Sequence, residues 1–285
     1  MDRNDLQCFR NWFSSYAKSF ASEDPESKRN FDLKYQHTQR VCQEAADLGK
    51  DLGLTESDLC ITEVTALFHD VGRFEQYKRY RTFSDRKSVN HAAFGVEILR
   101  ENRVLADLDE DLQELVLKII SHHNRAKLPD DEDPECLFFS RLLRDADKLD
   151  IWRVLTEYYR QKAAGESNET VELDLPDTPG ISQEIYENLM QGKTVLFGSM
   201  KNLNDFKLMQ ASWVYDVNFL PTLKRLKERN YLKMLRAALP ETQEVQQIFD
   251  SAFFHMDKKL KTGSVTENPS YAPPSHPRSL VSTTN

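Results

Sequence analysis

Glycine is scarce in this chain, 9 in 285 residues, and no GxGxxG or phosphate-loop pattern occurs. That disfavours a fold that cradles a nucleotide in a glycine-rich turn. The four cysteines, Cys8, Cys42, Cys60 and Cys136, lie far apart and form no CxxC pair. Reduced, mostly buried thiols of a cytoplasmic protein are expected. No apolar run approaches the roughly 18 residues of a membrane span. The opening "MDRNDLQCFRNWF" is charged and lacks the apolar centre of a signal peptide. Positive charge is in deficit, with 38 Lys and Arg against 46 Asp and Glu and a net charge of −8. This favours solubility and argues against a protein that coats nucleic acid or an anionic membrane.

What remains reads as helix, and the expected class is all-α. A stripe through Tyr35, His37, Val41, Ala45, Leu48 and Leu52 predicts a helix over 32–52. Thr55 and Asp58 suit the cap of a second helix, which stops near Gly72. Residues 72–90 carry aromatic and basic residues with poor periodicity and are expected to form an ordered loop. Helices are expected over 91–102 and 109–123, with acids leading the second. After the acidic loop "NRAKLPDDEDPE", a long helix runs from Pro134 to about Lys162. The organisation expected is a helical core over 1–165, a linker over 166–181, a C-terminal helical extension over 182–261 and a disordered tail over 262–285. Trp213, Phe219, Leu223, Leu226 and Leu232 are the expected core of the extension.

Five of the seven histidines, His37, His69, His91, His122 and His123, fall within 87 residues, at or beside apolar helix faces. In "TALFHDVGRFEQY" a helix runs into the adjacent pair His69-Asp70 and then a glycine. Gly95, on the stripe His91-Gly95-Ile98, would let a backbone or a ligand come close. A lone histidine on such a face is more often a satisfied core residue. Here the features recur in one region and one order: His, His-Asp, His, His-His, then an Asp in a later helix. Helices that point imidazoles inward build metal sites inside bundles, and imidazole with carboxylate suits Mn, Fe, Ni, Co or Zn.

The set His37, "HD" at 69–70 and "RDADKLD" at 144–150 resembles the HD-domain metal-dependent phosphohydrolase superfamily, over about His37 to Tyr159. "NHAAFGVEIL" and "ISHHN" resemble the additional histidine motifs of its dinuclear members, among them the HD-GYP-like phosphodiesterases. The resemblance implies one ion on His37, His69, Asp70 and a late Asp. It implies a second on Asp70, His91, His122 and His123, with Asp70 bridging. For the late Asp it points to Asp147, with Asp145 the second choice and Asp150 a third acid in reach. Two departures withhold the HD-GYP substrate: Arg73 stands where those proteins carry lysine, and their GYP segment is missing.

From 72 to 91, six basic residues, Arg73, Lys78, Arg79, Arg81, Arg86 and Lys87, face two acids, a local charge of +4 in a chain of −8. Such runs are usually solvated. This one joins two ligand motifs, where guanidinium groups would meet a phosphate. Phe74, Tyr77, Tyr80 and Phe83 would either stack on a base or pack the segment. The function expected is hydrolysis of a phosphomonoester or phosphodiester of a small nucleotide-like molecule by an ion-activated water. Asp70, Arg73 and Lys148 are its catalytic groups, and no Ser or Cys nucleophile is required. A di-iron oxygenase and a non-catalytic nucleotide-binding module are the alternatives. A long nucleic acid is disfavoured as substrate and no membrane partner is expected. Whether the C-terminal helices cover the site or form a homodimer is open.

Overall fold

The computed structural model describes residues 1–162, 169–173 and 175–263. Among these there are helices and no strand, so the fold is all-α. In chain order the helices are α1 (Arg3–Lys18), α2 (Pro25–Asp51), α3 (Glu56–Phe68), α4 (Gly72–Tyr80), α5 (His91–Glu101), α6 (Glu110–His122) and α7 (Pro134–Lys162). The short α8 (Glu169–Glu172) follows, then α9 (Gln183–Met190), α10 (Leu203–Ser212), α11 (Leu220–Glu228), α12 (Tyr231–Ala237) and α13 (Gln243–Thr262). No helix is long and apolar enough to cross a membrane among the described residues.

Local chemistry sets the helix starts. Asp24 accepts a hydrogen bond from the Ser27 amide at 3.0 Å, and Pro25 supplies a preset first-turn φ. The Thr55 hydroxyl accepts from the Asp58 amide at 3.3 Å, as the motif predicted. Asn90 accepts from the amides of Ala92 and Ala93, so that α5 begins on His91. Each such cap is worth about 1 kcal/mol. The helix α3 is buried from Asp58 to Phe68 and packs against α1, α2, α6 and α7. Around it α2 meets α7, and α5 lies between α4 and α6.

The expected loop over 72–90 is instead helical in its first half. The chain folds this way because Phe74 and Tyr77, three residues apart, fall on one face and are fully buried. They meet Phe13, Phe20 and Phe31 edge-on, tilted or stacked. The aromatics Phe74 and Tyr77 are therefore core. Gly72 permits the close approach of α4 to α5: a Cβ there would lie 2.3 Å from the His91 carbonyl oxygen and 2.8 Å from the Gly95 nitrogen.

The C-terminal helices pack on the core through α11 and α12 against α7, and one continuous apolar cluster joins them. The Trp152 indole, fully buried, donates to the Gln210 carbonyl at 2.9 Å across that junction. Leu223, Leu226 and Leu232 are buried as expected, whereas Trp213 and Phe219 are only half-buried. Cys42, Cys60 and Cys136 are buried free thiols and Cys8 is exposed. Most of the expected linker is described, but 166–168 and 174 are not, and the expected tail beyond 263 lies outside the described residues.

Candidate metal centre

Five helices and the turns after them bring His37 (α2), His69 and Asp70 (after α3), His91 (α5), His123 (after α6) and Asp147 (α7) to one point. The His37 and His69 Nε2 atoms lie 3.3 Å apart, and the His91 and His123 Nε2 atoms 2.9 Å apart. Asp70 stands between the pairs. Its Oδ2 is 3.6 Å from His37 and 3.7 Å from His69, and its Oδ1 is 3.4 Å from His91 and 3.9 Å from His123. Asp147 Oδ1 joins the first pair, 3.1 Å from His37 and 3.7 Å from His69. Every one of the four imidazoles is buried, as is Asp70.

The outer ring nitrogens fix how the inner ones face. Nδ1 of His37 meets Asp150 Oδ2 at 2.6 Å, and Nδ1 of His91 meets Asp85 Oδ2 at 2.7 Å. Nδ1 of His69 and of His123 meet the carbonyls of Ala66 and Ile120, each at 2.7 Å. Carbonyls and carboxylates only accept, so each Nδ1 carries a proton and the four Nε2 atoms converge. Four ring nitrogens and two carboxylates around one space are a ligand set that fits a cation. Asp147 Oδ1, buried and without a hydrogen-bond partner, fits it too.

Charge balance leads the same way. Burial holds His69, His91 and His123 below the ordinary imidazole value, His123 down to about 3, and neighbouring imidazoles or Arg73 add to this. They are neutral donors at pH 7. Asp70 and Asp147 stay ionised although burial opposes it, Asp70 chiefly through Lys34 and Asp147 chiefly through His37. Burial also opposes charge on His37, but the adjoining carboxylates of Asp147 and Asp150 outweigh it and raise its pKa to about 9, so its Nε2 holds a proton that a bound cation would have to displace.

Two residues named from the sequence lie elsewhere. His122 is not gathered with the others, because adjacent helix residues point about 100° apart and His123 takes the inward direction. Its Nε2 meets Glu132 Oε2 at 2.9 Å, and with Cys136 these form a separate group. Asp145 accepts from the backbone amides of Asn218 and Phe219, each at 3.0 Å, so it holds the entry to α11. Asp150 orients His37 and pairs with Arg40 at 2.6 Å. Lys148 lies beside the site, its Nζ 2.5 Å from Asp216 Oδ2, which also takes Arg144 at 2.7 Å.

A cavity of about 560 Å³ opens onto the centre, lined by His37, Asp70, His91, His123 and Asp147 at one end. Of the basic segment, Arg73 and Arg86 line it. Arg73 is pinned there by Asp85 at 2.8 Å and by the Phe83 carbonyl at 2.5 Å. Lys78, Arg79 and Arg81 do not line it, because α4 turns them outward. Lys78 and Arg79 pair with Glu75, and Arg81 bonds Ser27 and Asp24. Lys87 is exposed. Sequence reasoning missed Lys34, whose Nζ is 2.8 Å from Asp70 Oδ2, although it sits one turn before His37. It also missed Asp85, Glu132 and Asp216, whose roles depend on contacts between segments that no spacing announces.

Residues 35–152 match the family model of the HD domain. Over 72 residues the chain is 38% identical to the CRISPR system single-strand-specific deoxyribonuclease Cas10/Csm1 (subtype III-A) of Methanocaldococcus jannaschii, covering 24% of this chain and 8% of that protein. The match thus spans under a tenth of the relative's length. No solved structure matches this chain. HD domains bind divalent metals, and the clustered histidines and aspartates here could hold them. Over residues 35–152, somewhat under half of the chain, the match supports the resemblance to the HD-domain metal-dependent phosphohydrolase superfamily.

Proposed function

We propose that the protein hydrolyses a phosphomonoester or phosphodiester of a small, nucleotide-like molecule, with one divalent ion in each half of the centre. His37, His69, Asp147 and Asp70 Oδ2 would hold one, and His91, His123 and Asp70 Oδ1 the other. Ions so held would acidify a water and draw charge from the phosphoryl oxygens. The observation that carries the reading is the convergence of four imidazole Nε2 atoms on a carboxylate whose two oxygens face different histidine pairs.

The chain's own groups would do the rest. The Arg73 Nε, buried and without a hydrogen-bond partner, lies 3.4 Å from Asp70 Oδ1 and would face a phosphoryl oxygen bound there. Lys34, Arg144 and Lys148 line the same cavity and would add positive potential. Asp85 would hold both His91 and Arg73 in register.

Metal analysis of wild type and Asp70→Ala, followed by a phosphoester screen with Mn, Ni, Co and Fe, tests this reading. Close to two ions per chain, lost in the variant, with phosphate release by the loaded wild type, is expected. No bound ion after supplementation would refute it. Activity in colourless, Mn-loaded protein would exclude the di-iron oxygenase. Single-stranded DNA belongs in the same screen, since the similar protein from Methanocaldococcus jannaschii is a deoxyribonuclease.

A further inference from the structure

The cavity at the centre has two kinds of wall. One is cationic. Among its groups Lys34, Arg73, Arg144 and Lys148 each already answer a carboxylate of the protein. Arg86 and Arg125 are exposed and have no ion-pair partner among the described residues, so they remain for a ligand's anionic group.

The other wall is apolar, and much of it comes from beyond the HD-domain match. Leu196, Phe197, Phe206, Met209 and Trp213 line it. Leu196 is 55% exposed and Phe197 37%, and Trp213 is left half-buried where a core position was expected. Large apolar side chains held at a cavity beside a polar centre mark the seat of a ligand's apolar part. Hydrogen-bonding side chains are scarce on this side. The C-terminal residues of the lining supply Thr194, the Trp213 indole N–H and Asp216, and Asp216 is engaged by Arg144 and Lys148. Sugar hydroxyls or base edges turned this way would lose water without replacing it.

We infer that the C-terminal helices select the substrate, and that its organic part is a compact aromatic body held by stacking and apolar contact rather than by hydrogen bonds. The inference rests on the phosphohydrolase reading for the anionic end. A nucleobase would satisfy it only face-on, so that adenine and uracil would be little distinguished. The volume suits one such body with its phosphate, and no polymer is needed to fill it.

The test is equilibrium binding by calorimetry to the full chain loaded with Mn²⁺. The probes are naphthylmethylphosphonate, methylphosphonate and uncharged naphthylmethanol, on wild type and on Leu196→Asn, whose exposed position should spare the fold. The naphthyl phosphonate should bind about tenfold or more tightly than methylphosphonate, the worth of shielding roughly 60 Å² of apolar surface from water. Leu196→Asn should reduce that ratio at least about threefold and leave methylphosphonate unchanged. Equal affinity for the two phosphonates, in wild type, overturns the inference while the phosphohydrolase reading stands. Binding of naphthylmethanol with no gain from a phosphonate supports the apolar seat and removes the phosphohydrolase reading. Binding of none of the three overturns the inference.

Discussion

Asp150 offers the sharpest way to separate a residue that holds a metal from one that aims a ligand. Its Oδ2 takes the His37 Nδ1 proton at 2.6 Å and its Oδ1 takes Arg40 Nε at 2.6 Å. Asp150→Asn keeps the shape but offers one acceptor and one donor in place of two acceptors. If the amide oxygen stays with Arg40, its NH₂ faces His37 and forces the proton to Nε2, where it occupies the lone pair the centre needs. If the oxygen turns to His37, the NH₂ faces the Arg40 guanidinium. Partners of this kind typically carry about 10–100-fold in metal affinity, or roughly 1.4–2.7 kcal/mol. Losing the Arg40 contact would cost about 1–2 kcal/mol of fold stability, moderated because Arg40 is 24% exposed.

The assay is a Mn²⁺ titration read by bound metal and by turnover. One of the two proposed ions should weaken by this factor and the other should hold, with turnover recovered at correspondingly higher Mn²⁺. Unchanged affinity would refute the orienting role. A loss that no Mn²⁺ concentration recovers would instead make Asp150 a ligand and displace Asp147 from that place.

Three further outcomes are expected. Arg73→Ala should lower turnover by about 10²–10³ with metal content preserved; an unchanged rate would remove Arg73 from the chemistry. Gly72→Ala should cost about 1–3 kcal/mol in denaturant unfolding, because the new methyl meets the backbone of His91 and Gly95 rather than a movable side chain; an unchanged midpoint would contradict the close packing of α4 on α5. Glu132 is pulled down to about 2 by His122, with the Asp133 amide and Lys118 assisting, from an ordinary 4.5. Its folded value lies below its unfolded one, so its contribution is full above about pH 4.5 and fades as pH falls towards about 2. Glu132→Gln should therefore flatten the fall in melting temperature across that window, and parallel curves would show that the pairing contributes nothing.

The parts of the molecule governed by one helix's own periodicity were legible in advance. The start of α7 at Pro134 follows from the acidic, proline-containing run before it, and the order of the histidine motifs marked His37, His69, Asp70, His91, His122 and His123 as a set, all of which but His122 converge. What escaped depends on two segments at once. Residues 72–80 look aperiodic because outward basic residues dilute the two aromatics that anchor the helix, and only the ring cluster on α1 and α2 shows why those two suffice. Three acids in one helical turn and a half could not be ranked by spacing. Asp145 is claimed by Asn218 and Phe219, and Asp150 by Arg40, partners 73 and 110 residues away. His122 and His123 were both plausible inward residues until Glu132 was seen to engage one of them.

The four imidazoles differ in how mutation can reach them. In each half of the centre one ring is held by a carboxylate, His37 by Asp150 and His91 by Asp85, and the other by a main-chain carbonyl, His69 by Ala66 and His123 by Ile120. A carbonyl in the last turn of a helix is present whatever side chain its residue bears. Substitutions at 66 and 120 that respect packing therefore leave the aim of His69 and His123 intact. A single change at 85 or 150 disarms its partner. Each half thus pairs one ring aimed by the fold itself with one that depends on a single side chain, and variation in this protein will be tolerated or punished along that division.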